Sequence, residues 1–119
     1  MVHHVPPRVD ASFAALSDPT RRGVLEQLAR SDLSISDLAD HFEMTLTGMK
    51  KHVSVLERAG LVATEKIGRV RKCRLGRLKL EEEARWIARY NQLWAERFEA
   101  LDKIVEELIA GEAEHEQPK

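Results

Sequence analysis

The stretch MTLTGMKKHVSVLERAGL, Met44 to Leu61, decides the fold. It opens with Thr45, whose hydroxyl can cap a helix, and closes at Gly60, a residue that ends one. Between them Met49, Val53 and Leu56 recur at helical spacing as one apolar stripe. Thr47, Lys50, Lys51, Ser54 and Arg58 fall on the other side. A short helix with an apolar back and a cationic, hydroxyl-bearing front suits a core behind it and a polyanion before it.

Upstream, Asp10 to Ser17 (DASFAALS) reads as a short helix with Phe13 and Leu16 turned inward. Asp18-Pro19 then supplies a cap and a proline at the first helical position. The helix they open, PTRRGVLEQLAR, carries Val24, Leu25 and Leu28 on one side. Its Arg21 and Arg22 stand in the first turn, where cations are unfavourable, which suggests an ion pair to a neighbouring element or a phosphate contact. Ser34-Ile35-Ser36-Asp37 offers a capping box to a third helix through Leu38, Ala39 and Phe42. A break at Glu43-Met44 separates it from the helix of the opening stretch. Two short helices joined by a tight turn make a helix-turn-helix.

Downstream, LVATEKIGRVRKCRL holds two β-leaning runs joined at Gly68-Arg69. Glycine first in a two-residue loop points to a type II′ hairpin. Val70, Lys72 and Arg74 alternate with Arg71, Cys73 and Leu75, leaving one face mainly cationic. A basic hairpin directly after a helix-turn-helix is a wing. The second helix is then expected in the major groove of DNA, with the wing along the backbone or in the adjacent minor groove. The candidate DNA-binding residues are Thr45, Thr47, Gly48, Lys50, Lys51 and Ser54 on the helix, and Arg69 and Arg71 on the wing. Thr45 serves equally well as a pure cap, and Lys50 and Lys51 suit phosphate better than base edges. Gly48 points to a close approach, either to DNA or to the preceding helix. His52, beside the apolar stripe, reads as a partly buried packing residue.

The last segment does a different job. Leu80, Ala84, Ile87, Asn91, Trp94, Phe98, Leu101, Val105 and Leu108 are spaced alternately by four and three residues, a heptad stripe of about four repeats. Trp86 and Tyr90 widen it. Such a helix carries more apolar surface than one small domain covers, so pairing with a second copy is the economical solution. The expected dimer residues are Ile87, Tyr90, Asn91, Trp94, Phe98, Leu101 and Val105, with Phe13 from the first helix. Packing of the whole helix on its own domain is the alternative.

At 119 residues, 43% of them apolar and 33% charged, the chain fits one globular domain. Apolar runs are only a few residues long, so no transmembrane span is expected. The start, MVHHVPPRV, lacks a signal-peptide pattern and reads as a loose arm. A lone cysteine, Cys73, excludes an internal disulfide and fits a reducing cytoplasm. Cations flank Cys73 in sequence, but strand alternation sends them to the opposite face, so it reads as a small buried hydrophobe. The net charge of -1 conceals segregation: residues 1–44 sum to -3, residues 45–79 to +8 and residues 80–119 to -6. A basic block centred on the helix and wing is an electrostatic footprint of nucleic-acid binding. No phosphate-cradling loop, nucleophile elbow or metalloprotease motif occurs, so an enzyme is not expected.

ALSDPTRRGVLEQLA, SISDLADHF, TGMKKHVSVLERAGLV and the short wing together resemble the ArsR family of winged-helix bacterial repressors, from about Ala11 to Leu108. The resemblance implies a homodimer that binds an operator, usually near its own gene, and represses it. Where relatives often open the recognition helix with serine-glutamine-proline or serine-glutamine-serine, this chain has Thr45-Leu46-Thr47, and Lys50 replaces a frequent serine. Metal-sensing relatives place cysteines in the segment that here reads Leu33-Ser34-Ile35-Ser36-Asp37-Leu38, and serine is not a soft ligand. A second family site uses histidine and carboxylates on the dimer helix, yet no histidine lies between Glu81 and Ile109. Asp102 and Glu106 resemble ordinary surface charge, and His3, His4 and His115 fall in the arm and the tail. No cofactor or metal is therefore expected. A small-molecule effector held by Trp86, Tyr90 and Trp94 stays open.

The expectation is a mainly α fold with a small β-hairpin: a loose arm at 1–9, a winged helix-turn-helix core at 10–79, a dimerisation helix at 80–109 and a flexible tail at 110–119. Its function is sequence-specific transcriptional regulation, as a dimeric repressor in the cytoplasm on the nucleoid. The alternative is a winged-helix module docking an acidic protein through the basic face.

Overall fold

Asp18, Ser34 and Thr45 each stand immediately before a helix and each accepts a hydrogen bond from a first-turn backbone N–H: Arg21 at 3.0 Å, Asp37 at 3.0 Å and Gly48 at 3.1 Å. These caps satisfy donors that no helical carbonyl can reach. In the computed structural model, which describes residues 7–116, they delimit α2 (Pro19–Leu28), α3 (Ile35–His41) and α4 (Leu46–Arg58). At Ser34 the capping box is complete, with Asp37 also accepting from the Ser34 N–H. Helix α1 (Pro7–Leu16) precedes them, and strands β2 (Val62–Ile67) and β3 (Val70–Leu75) follow. A two-residue strand β1 (Leu33–Ser34) and the long helix α5 (Glu81–Glu116) complete the order.

The chain divides into two compact units at Glu83/Ala84. In the first, Val24, Leu38, Met49 and Leu56 are fully buried, joined by Ala15, Val53 and Cys73. Each large side chain so buried is worth about 1.5–3 kcal/mol over its exposed state. Met49, Val53 and Leu56 are the buried stripe of α4, as their spacing requires. The helix ends in a Schellman arrangement: Gly60 N–H donates to Glu57 at 3.0 Å and Leu61 N–H to Leu56 at 3.0 Å. Gly60 has φ +81°, a left-handed conformation that glycine adopts without a steric cost.

The turn between α3 and α4 repeats that device with a different residue. Glu43 has φ +53°, its N–H donates to Asp40 at 3.2 Å, and Met44 N–H donates to Ala39 at 2.9 Å. A glutamate in the left-handed region carries strain that glycine would not.

Three boundaries differ from expectation. Residues 7–9, placed in a loose arm, form the first turn of α1: Pro7 suits a helix start, Val9 is buried, and Arg8 pairs with Glu82 and Glu83 at 3.3 Å. His3 and His4 lie outside the described residues. The segment 110–116, placed in a flexible tail, continues α5, because alanine and glutamate favour helix. The side chain of His115 lies outside the described ones. The wing is not a lone hairpin but a three-stranded antiparallel sheet of order β1-β3-β2, with Leu33 opposite Cys73 and Ser34 opposite Lys72.

Candidate nucleic-acid interface

Because α4 buries Met49, Val53 and Leu56, the residues on its opposite side are turned outward. Thr45, Thr47, Lys50 and Lys51 are exposed, while Gly48 and Ser54 are half-buried. Gly48 is tight against its own cap: a Cβ there would stand 3.1 Å from Thr45 Oγ1 and 3.4 Å from Met44 Cε. Within the chain the close approach at Gly48 is thus to Met44 and Thr45 and not to the preceding helix.

Opposite α4, β2 and β3 pair from Val62↔Leu75 to Ile67↔Val70, leaving Gly68-Arg69 as the loop. Gly68 has φ +62°, and among the described residues Glu43 is the one non-glycine with positive φ, so Arg69 is excluded from a type I′ turn. Arg71 shares a face with buried Cys73 and lies opposite Lys66, whereas Lys72 and Arg74 point the other way. Arg74 pairs with Glu65 at 3.5 Å.

Between α4 and the wing runs a cleft of about 630 Å³ that brings Lys50 and Ser54 together with Arg69 and Arg71. Thr45, Thr47, Gly48 and Lys51 do not line it. The cleft also recruits residues that sequence reasoning passed over: Leu46, 44% exposed, Ser36, Thr64, Lys66 and Glu57. Lys66 was detectable, since it lies in the +8 block and its register puts it beside Arg71. Glu57 carried no such signal. Its Oε2 accepts a hydrogen bond from Thr64 Oγ1 at 2.5 Å, and Thr64 Oγ1 accepts one from Arg71 Nη1 at 3.1 Å.

Behind the interface, Arg21 fixes the back of α4. It donates through Nε to the Ala15 carbonyl at 2.8 Å and through Nη2 to the Ala14 carbonyl at 3.1 Å. Its Nη1 lies 3.2 Å from Nδ1 of half-buried His52; a guanidinium only donates, so Nδ1 accepts. Arg22 Nη1 donates to the Leu16 carbonyl at 2.8 Å. Both cations therefore close the carbonyl end of α1, where positive charge is favourable, and it is through these carbonyls that they hold the neighbouring helix. The Asp18 carboxyl is held below the usual range by the Arg21 N–H it accepts, outweighing partial desolvation. Burial pushes the Cys73 thiol up to about 11, and the Glu57 carboxylate adds to the effect. A thiol so placed is almost wholly protonated at neutral pH and a poor nucleophile.

The expected dimer residues of α5, namely Ile87, Tyr90, Asn91, Trp94, Phe98, Leu101 and Val105, are all exposed. Trp94 and Phe98 stack with centroids 4.5 Å apart, and Trp86 and Tyr90 at 5.8 Å. Phe13 is half-buried in α1. Among the described residues no helix is long and apolar enough to cross a membrane.

A helix-turn-helix whose second helix faces a cationic cleft closed by a β-wing defines a winged helix-turn-helix DNA-binding protein. The helix-turn-helix domain family HTH_20 matches residues 16–65. The transcriptional repressor SdpR of Bacillus subtilis is 28% identical over 78 residues, covering 66% of this chain and 87% of that protein. The crystal structure of an ArsR family transcriptional regulator, RHA00566, is 38% identical, with a TM-score of 0.69 over 78% of this chain and 96% of that one. A homodimeric winged helix-turn-helix DNA-binding domain from Mycobacterium bovis shares the fold at 23% identity, with a TM-score of 0.58 over 84% of this chain and 95% of that one. The chain belongs to the ArsR family of winged helix-turn-helix transcriptional regulators.

Proposed function

We propose that the protein is a dimeric repressor that binds an operator at its own or a neighbouring gene. In this reading α4 lies in the major groove, where Thr47, Lys50 and Lys51 face the DNA, with Thr45, Gly48 and Ser54 beside them. Arg69 and Arg71 bring the wing to the backbone or the adjacent minor groove. The observation that carries the reading is the cleft between α4 and the wing, where Lys50, Lys66, Arg69 and Arg71 converge. A duplex backbone running through such a cleft would meet cations from both walls. Repression is supported by the likeness to SdpR, a transcriptional repressor. The apolar face of α5 would join two protomers, a role in keeping with the homodimeric Mycobacterium bovis relative. Two wings related by a two-fold axis would then address two half-sites about one DNA turn apart.

The test is fluorescence-anisotropy binding to DNA from upstream of its own gene, against scrambled competitor, across a salt series. Preference of about a thousandfold or more, with affinity falling steeply with salt, is the expected result. Equal weak binding to both DNAs would overturn autoregulation and favour docking of an acidic protein on the basic face.

A further inference from the structure

Among the residues lining the cleft, Glu57 is the single acid. A carboxylate facing a polyanion repels it, so on charge alone Glu57 weakens binding. The hydrogen bonds around it give it another use. The Thr64 hydroxyl has one proton and gives it to Glu57 Oε2 at 2.5 Å; its lone pairs are then what receives Arg71 Nη1 at 3.1 Å. A directed chain therefore runs from the wing guanidinium through a strand hydroxyl to a carboxylate on α4. Thr64 lies opposite Cys73, so Arg71 reaches it diagonally across the ladder. One guanidinium N–H is engaged in this way, and the others stay available to a ligand.

Resting on the DNA reading above, we propose that Thr64 and Glu57 are positioning residues for operator selection: they fix the direction of Arg71 relative to α4, so that helix and wing present one rigid set of donors. An arginine aimed before binding loses less conformational freedom on meeting its target, and a rigid one discriminates between targets that a free one would accommodate alike. The formal charge of the face is the same whether or not the chain is intact. Its effect accordingly falls on selectivity and not on salt dependence.

The experiment uses the full chain and a duplex enriched by the wild-type protein from a randomised pool, with a scrambled duplex for comparison. Thr64→Val should lower the preference for the enriched duplex by about tenfold while leaving the salt slope unchanged. Thr64→Ser, which keeps the hydroxyl, should restore it. In an Arg71→Ala background, Thr64→Val should have no further effect, because nothing is left to position. Full preference in Thr64→Val, failure of Thr64→Ser to rescue, or an equal loss in both backgrounds would each overturn the proposal. A wild type that selects DNA while Arg71→Ala binds as well removes the positioning role and leaves the DNA reading standing. If the wild type enriches no duplex, both fall together.

Discussion

Arg21 shows how much one side chain can organise without touching a ligand. It is bonded to two carbonyls of α1 and to His52 on α4, so it joins two helices across its own. Hydrogen bonds made by charged groups are worth about 1.5–3 kcal/mol. Arg21→Met should therefore lower stability by about 1–3 kcal/mol in urea unfolding; an unchanged midpoint would show the contacts to be passive. In sequence, DPTRR announced a cap and a proline start but not these partners, because the carbonyls of a helix end carry no residue-type signal. Glu83 was equally illegible, since its partner Arg8 lies 75 positions away. Glu83 is 2% exposed; desolvation pushes its carboxyl up, but bonds from Arg8 and Ser12 prevail and hold it low. A lowered carboxyl stabilises the fold above the unfolded-state range of about pH 4 and stops doing so as pH falls through its folded value. Glu83→Gln should thus melt lower than wild type at pH 7, with the gap narrowing below about pH 4. A gap independent of pH would argue against the ion pair.

At the scale of elements, the caps at Asp18, Ser34 and Thr45 and the stripe of α4 were legible because they depend on neighbours within a turn. Strand β1 was not, because two residues show no alternation and its pairing partners lie some forty positions away. The α3–α4 turn holds Glu43 at φ +53°. Glu43→Gly should raise stability by about 1 kcal/mol, the usual cost of a left-handed non-glycine residue, measured by thermal or urea unfolding. The groove role of α4 is tested by Lys50→Ala combined with Lys51→Ala. Fold should persist, while DNA affinity weakens and the salt slope falls by about two. A folded double variant that binds as tightly would remove these lysines from the interface.

At the scale of the whole molecule, the heptad spacing of α5 was legible but its complete face was not. Leu93, Ile104 and Ile109 join the stripe, and every large apolar residue from Trp86 to Ile109 is at least 40% exposed. A contiguous exposed apolar face of this kind is where the proposed pairing of protomers is expected. Phe98→Glu should give monomers by sedimentation, whereas a stable, fully dimeric variant would remove α5 from the contact. The cationic cleft was legible only in part: block charge located Lys50, Arg69 and Arg71, while Glu57 and Thr64 needed coordinates, since their contacts span helix and sheet. The short strand β1 bears on motion as well as shape. It grips β3 only at Cys73 and Lys72, and the same Ser34 caps α3. The base of the wing is therefore clamped to the helical body, and the span from Lys66 to Arg71 is a cantilever held along one side. Flexing on DNA is expected at the loop end of that span, around Gly68 and Arg69, while Arg71, tied through Thr64 to Glu57, keeps its place beside α4.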